Sequence, residues 1–425
     1  MSVVVVVGLN HASAPFDLLE RVHVGEEQQA KLLAELPSTH AIDETMVLAT
    51  CQRTEIYIAA EWYHPAVEEV QAKLAAVAGI TVDEIATHGF AYHGDQALRH
   101  LFRVATGLDS PVIGEKEILG QLRSAAKVAK AAGAMGPELG AAFRAAVAAA
   151  RRARTALGAG STEPRPSLAS AAVAMVADRL PNASDARVGV LGNGDVARAV
   201  LDALIGSDPS REIVQFNRSA PAGRRKVRAR VTAHNLSELP TYLPVLDVVY
   251  CCTAADEPVV TEPMLLEALA SRDAHPLLLV DLAMPRDVQP TARDMVDVRL
   301  VDVRDVSRFA GEKFAPPCAA IAAADDTIED AVDAYLANTS GRKVAPLVTA
   351  LRTKVEETRI AELERAKVLM NSLDASQREA LDALTKALVA KVLHEPTVRL
   401  KDAAGSESGE RLASSVRHLF DLDDR

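Results

Sequence analysis

The chain has 425 residues, enough for two or three domains, of which 49% are hydrophobic, 25% charged and only 4% aromatic. That balance excludes a disordered chain, and a net charge of −11 excludes one that coats nucleic acid over its whole surface. No apolar run reaches the roughly 18 residues of a membrane helix. Cysteines 51, 251, 252 and 318 form neither a C-x-x-C pair nor a zinc-site spacing, so no metal is expected and the reducing cytosol is the expected compartment.

In chain order, the β-branched run Val3–Val7 predicts a strand rather than a secretory leader. Glu27–Leu36 predicts a helix, Thr45–Ala49 and Ile56–Ala60 two strands, His64–Ala78 a helix and Gly89–Tyr92 a last strand. The order β-α-β-β-α-β predicts a ferredoxin-like α+β domain. Asp95–Leu157 reads as a helical extension of it. Between Gln121 and Gly160 seven Lys/Arg residues face one acid, Glu138. This is either a solvated helical face or a phosphate-binding surface around Arg144–Arg154.

Gly158–Pro166 and Pro316-Pro317 mark boundaries, giving expected domains at 1–157, 158–315 and 316–425. After a helix at Leu168–Leu180, strands and helices alternate from Arg187 to about Val306, which predicts a doubly wound parallel sheet. The last region is all helical. Heptad-like stretches at Ala350–Met370 and Ser376–Val392 carry apolar stripes that predict a homodimer.

The strand Arg187–Leu191 runs into Gly192, Asn193, Gly194, Asp195, Val196 and Ala197, a G-x-G-x-x-A turn opening a helix. The first glycine makes the turn, the second admits a pyrophosphate, and the small third residue keeps helix and strand close. The bland alternative is a tight turn and no more. The next strand, Glu212–Phe216, ends in Asn217, Arg218 and Ser219, where an NAD site would place an acid. Arg218 and Ser219, with Arg224, Arg225 and Lys226 nearby, suit a 2′-phosphate instead, so NADP(H) is expected rather than an ordinary basic loop.

Cys51 stands in Thr50-Cys51-Gln52-Arg53-Thr54-Glu55. A lone cysteine is commonly an inert small hydrophobe. In an extended segment, however, residues 51, 53 and 55 share a side, so Arg53 would lie beside the sulfur and lower its pKa. A thiolate with NADPH gives one reaction class: acyl transfer to sulfur, then hydride reduction of the thioester to an aldehyde. His100 is either a helix-surface histidine or a proton carrier, if the fold brings it to Cys51.

Five motifs, in order along nearly the whole chain, resemble those of the glutamyl-tRNA reductase family. They are Gly8-Leu9-Asn10-His11 with Ala14-Pro15; Thr50 to Glu55; His100-Leu101-Phe102-Arg103-Val104 followed by Gly107 to Ser110, Gly114-Glu115 and Ile118 to Gln121; Asp281 to Val288; and Leu393 to Lys401. The departures are Gln52 for Asn, Lys116-Glu117 where Pro-Gln is common, and Ala197 where Gly is common.

The resemblance implies an extended V of catalytic, NADPH-binding and dimerising domains. It implies that Cys51 attacks the ester joining glutamate to its tRNA, and that NADPH reduces the thioester to glutamate-1-semialdehyde, the first step of tetrapyrrole synthesis. Thr50, Cys51, Gln52, Arg53, Ser110, Glu115, Lys116, Glu117 and Gln121 occupy glutamate-binding positions, with Arg53 as the carboxylate partner. His100 occupies the position of a residue important for activity, through proton transfer. Implied partners are charged tRNA, a second copy of the chain and the downstream aminomutase. A long V further implies that the NADPH domain swings inward after the tRNA has reacted. The rival readings are an NADP-dependent dehydrogenase of a small hydroxy or keto acid with a structural Cys51, and a silent tRNA-binding scaffold.

Overall fold

The computed structural model describes residues 2–158, 166–180, 185–219, 225–228, 230–272, 275–404 and 407–422. The first lobe holds β1 (Val3–Asn10), α1 (Phe16–Arg21), α2 (Glu26–Glu35), β2 (Ile42–Thr50), β3 (Arg53–Ala60), α3 (Tyr63–Ala78), α4 (Val82–His88) and β4 (Phe90–His93). Its sheet order, β2-β3-β1-β4, is antiparallel throughout, as the β-α-β-β-α-β pattern leads one to expect. The short helices α1 and α4 have too few turns to show a period, and the sequence pattern misses both.

Three longer helices follow: α5 (Gly94–Thr106), α6 (Glu117–Ala131) and α7 (Pro137–Gly158). Strand β1 packs against α3 and α4 as well as α5 and α7, so Val4 to Val7 are all buried and its apolar run is continuous rather than alternating. The buried Glu44 of β2 accepts the N–H groups of Glu138 and Leu139 at 3.0 and 2.8 Å. It thus satisfies two free donors in the first turn of α7 and complements the positive end of its dipole.

The second lobe runs through α8 (Leu168–Arg179), β5 (Val188–Leu191), α9 (Asp195–Ser207), β6 (Ile213–Asn217), β7 (Arg225–Arg228), β8 (Val231–Asn235), α10 (Leu239–Tyr242), β9 (Val248–Cys251), α11 (Glu262–Ala270), β10 (Leu277–Asp281), β11 (Val298–Asp302) and α12 (Val303–Phe314). The sheet order is β11-β10-β9-β5-β6-β8-β7, parallel except for β7. Without β7 this is the doubly wound order 3-2-1-4-5-6, whose strand order reverses between β5 and β9. A dinucleotide crevice forms at that reversal.

Four helices complete the chain: α13 (Cys318–Arg365), α14 (Lys367–Ser372), α15 (Ala375–Asp402) and α16 (Glu407–Phe420). Two compact units result, residues 1–329 and 330–425, so both sheets share the first. Within that unit the two lobes share an apolar cluster, Phe16 and Val112 of the first packing with Leu168, Val190, Leu282 and Met284 of the second. In the second unit Val344, Leu347, Val348, Leu400 and Ala413 form a small core. Leu384, Leu388 and Val392 of α15, spaced four residues apart, are each about 65% exposed. Among the described residues, no helix is long and apolar enough to cross a membrane.

Candidate active site

Cys51 and Gln52 are the two turn residues of the β2–β3 hairpin, in which Thr50 pairs with Arg53. The hydroxyl of Thr50 accepts the Gln52 N–H at 3.1 Å, and the His11 N–H donates to the Gln52 carbonyl at 2.9 Å. Asn10 shapes that neighbouring segment, its side-chain oxygen accepting the N–H groups of Ala12 and Ser13 at 3.0 and 3.1 Å. The expectation of an extended segment is therefore corrected. The sulfur sits at a hairpin tip.

The expected acidic thiol is corrected as well. Burial, then the charges of Glu115 and Glu117, push the Cys51 thiol up to about 12, and Arg53 opposes them only weakly. The reason is that Arg53 is committed elsewhere. Its side chain, 2% exposed, donates to Glu55 at 2.8 Å and to the Asp109 carbonyl at 2.6 Å.

Behind Arg53 lies a buried charge network. Glu55, fully buried, also accepts the Tyr57 hydroxyl at 2.6 Å, and His100 places Nε2 3.1 Å from Glu55 and Nδ1 3.4 Å from Asp109. Burial raises the Glu55 carboxyl, but Arg53 and His100 outweigh it and hold the group at about 2. Burial also disfavours the His100 cation, yet Glu55 and Asp109 win and push it up to about 9. Arg103 donates to Asp109 at 2.9 Å and pairs with Asp325 at the start of α13. The network thus runs from the hairpin to that helix.

Gly107, in the left-handed region at φ +84°, ends α5 and starts the loop that carries Ser110 and Glu115. Arg154 fixes this loop by donating to the Thr106 carbonyl at 3.1 Å and the Glu115 carbonyl at 2.5 Å. That side chain is therefore structural, whereas Arg151 and Arg152 of the expected basic face are exposed.

A cavity of about 30 Å³ gathers Thr50, Cys51, Gln52, Arg53, Ser110, Glu115, Glu117 and Gln121. Of the expected substrate residues only Lys116 lies outside it, at the N-cap of α6 with its side chain in solvent. Gln52 Nε2 is buried without a protein partner, a donor placed for a ligand. Glu115 is raised to about 7, first by burial and then by Glu117. His100 lines neither this cavity nor the next, because α5 stacks its ring among Tyr57, Phe90 and Tyr92. It reaches the cavity through Glu55 and Arg53.

A second cavity of about 630 Å³ contains Cys51 and Gln121 from the first lobe, and Gly192 to Val196, Asn217, Arg218 and Ser219 from the second. Gly192 has φ +105°, and a Cβ there would meet the Cys252 carbonyl oxygen at 2.4 Å, so the turn excludes other residues. Beside Gly194, the N-cap of α9, space is open where a pyrophosphate would meet the helix N-terminus. Ala197 is buried on the strand side of α9. Arg218 and Ser219 are exposed just past β6. These residues fit a dinucleotide with a 2′-phosphate. Arg224 and the side chains of Arg225 and Lys226 lie outside the described residues.

One cavity therefore holds both the sulfur and the cofactor turn. In this conformation the two lobes already meet at that cavity. His23, whose histidine stands alone between valines in sequence and carries no motif signal, lines the same cavity; burial lowers its pKa. Among the described residues no cluster could hold a metal ion.

The family model for the N-terminal domain of glutamyl-tRNAGlu reductase matches residues 7–157, and that for its dimerisation domain matches residues 323–422. Between them, the shikimate / quinate 5-dehydrogenase model matches residues 174–309. Glutamyl-tRNA reductase of Thermobifida fusca is 32% identical, the match covering 99% of this chain and 96% of its own. That of Acidothermus cellulolyticus is 34% identical, with 98% and 87% covered. The solved glutamyl-tRNA reductase of Methanopyrus kandleri is 25% identical, covers 99% of each chain and has a TM-score of 0.46. On identity and coverage, this chain belongs to the glutamyl-tRNA reductase family.

Proposed function

We propose that this chain reduces glutamyl-tRNA to glutamate-1-semialdehyde, the first step of tetrapyrrole synthesis, through a thioester on Cys51. The observation that carries the reading is the single cavity shared by Cys51 and the turn at 192–196. The Cys51 sulfur adds to the ester carbonyl, the C–O bond to the tRNA ribose breaks, and the thiol proton leaves with the ribose hydroxyl. Glu115, poised near neutrality in the same small cavity, takes that proton and returns it. NADPH held by Gly192 to Val196 with Arg218 and Ser219 would supply the hydride that reduces the thioester to the aldehyde and releases Cys51 as a thiolate.

The unpartnered Gln52 amide and the Arg53 donors not spent on Glu55 and the Asp109 carbonyl suit the substrate's side-chain carboxylate, while Glu117 suits its α-ammonium. Thr50 holds the turn, and Ser110 and Gln121 complete the wall. His100 keeps Glu55 ionised and so keeps Arg53 in place, rather than carrying a proton to sulfur. The exposed Arg151 and Arg152 suit tRNA phosphates. The Leu384, Leu388 and Val392 stripe suits a second copy of the chain. A reactive amino aldehyde favours direct hand-over to an aminomutase, in the cytoplasm where charged tRNA is found.

NADPH oxidation driven by charged tRNA, and absent with uncharged tRNA, tests this function. In the same assay Arg218→Asp is expected to raise the Michaelis constant for NADPH roughly tenfold or more, with little change for NADH. A carboxylate there repels the 2′-phosphate that only NADPH carries. Equal effects on both cofactors would remove Arg218 from the site.

A further inference from the structure

Residues 282–284 line the cofactor cavity, and the segment 281–288 is stapled internally. Asp281 accepts the N–H groups of Ala283 and Val288 at 3.1 and 2.9 Å. Asp287 accepts the Thr253 N–H at 2.8 Å as well as its hydroxyl, and its carbonyl takes the N–H groups of Val259 and Val260. The two aspartates are buried, and their hydrogen bonds tie this wall to itself and to the segment 253–260.

Arg286 points away from it, to α1 of the first lobe. Its backbone N–H donates to Glu20 at 2.7 Å, its Nε lies 3.0 and 2.8 Å from the two Glu20 oxygens, and its Nη2 donates to Asp17 at 2.6 Å. Phe16, 7% exposed, has the Arg286 guanidinium 5.3 Å and the Arg304 guanidinium 5.0 Å from its ring centre. One short helix therefore grips the cofactor wall two residues from Met284, which shares a cavity with Cys51.

We infer that Arg286 is a positioning residue, whose grip on Asp17 and Glu20 holds the cofactor lobe at reacting distance from the sulfur. This rests on the thioester reading above. Acyl transfer to Cys51 uses first-lobe residues alone and does not need the grip. Reduction does, because a misplacement of about 1 Å can cost on the order of 10²-fold in rate.

The test compares wild type with Arg286→Ala, Glu20→Gln and the exchange of Glu20→Arg with Arg286→Glu. Without NADPH, each single variant should form and hydrolyse the glutamyl-enzyme within about twofold of wild type, and bind NADPH equally well. Its reductase turnover should fall on the order of 10- to 10²-fold, and the exchanged pair should recover part of it. Without cofactor, amide hydrogen exchange in peptides covering residues 16–21 and 282–288 should speed up in both single variants. Glu20→Gln keeps the test decisive if Arg286→Ala does not fold. Unchanged reductase turnover and unchanged exchange would overturn the inference. A wild type that never forms a glutamyl-enzyme would instead overturn the thioester reading, with hydrogen exchange still deciding the grip.

Discussion

Cys51→Ser should lower NADPH-dependent reduction of charged tRNA by at least roughly 10³-fold, about 4 kcal/mol of barrier. A serine hydroxyl is far less acidic than even the raised Cys51 thiol, and acylation of it returns an oxygen ester no easier to reduce than the substrate. The residue occupies a partly buried hairpin turn, so an unchanged melting temperature should accompany the loss. A dehydrogenase with a structural cysteine would keep most of its activity under the same change. Because burial and the charges of Glu115 and Glu117 push the resting thiol up to about 12, Cys51 should also alkylate slowly at neutral pH when no substrate is bound.

Glu55→Gln should cost about 3–5 kcal/mol of stability, because it leaves Arg53 and His100 as buried cations without their shared carboxylate. Thermal denaturation against pH gives the sign. Glu55 is depressed from its ordinary 4.5 to about 2, so its contribution is full above 4.5 and is lost as pH falls through 2. His100 is raised from its ordinary 6.5 to about 9, so its contribution is full below 6.5 and is lost as pH rises through 9. The contribution of this pair should be greatest between about 4.5 and 6.5. In Glu55→Gln the alkaline decline should be smaller and should end at lower pH, since His100 has lost one of its two carboxylates. A variant as stable as wild type across the range would show that the network contributes nothing to folding.

Local rules carried far along this sequence. The turn at 192–197 was legible because a glycine at φ +105° against a neighbouring carbonyl admits no other residue, and such constraints surface directly as G-x-G. The first sheet was legible because its β-branched runs are buried on both faces. The raised thiol was not foreseeable. Arg53 is near Cys51 in sequence, but its donors go to Glu55 and to the backbone of Asp109, 56 residues away. His100 likewise could be placed only once α5 was packed on β1 and β4. The contact between the lobes rests on Phe16, in a helix too short to show a period, and on Arg286, 270 residues further along in the segment after β10. Long-range pairings of that kind leave no local pattern to read.

The most direct test of the account is intact-mass analysis of wild type mixed with charged tRNA and no NADPH. The thioester route predicts an enzyme heavier by one glutamyl group, the mass mapping to Cys51, lost on addition of NADPH and absent from Cys51→Ala. An unmodified enzyme that nevertheless reduces the charged tRNA once NADPH is added would contradict it.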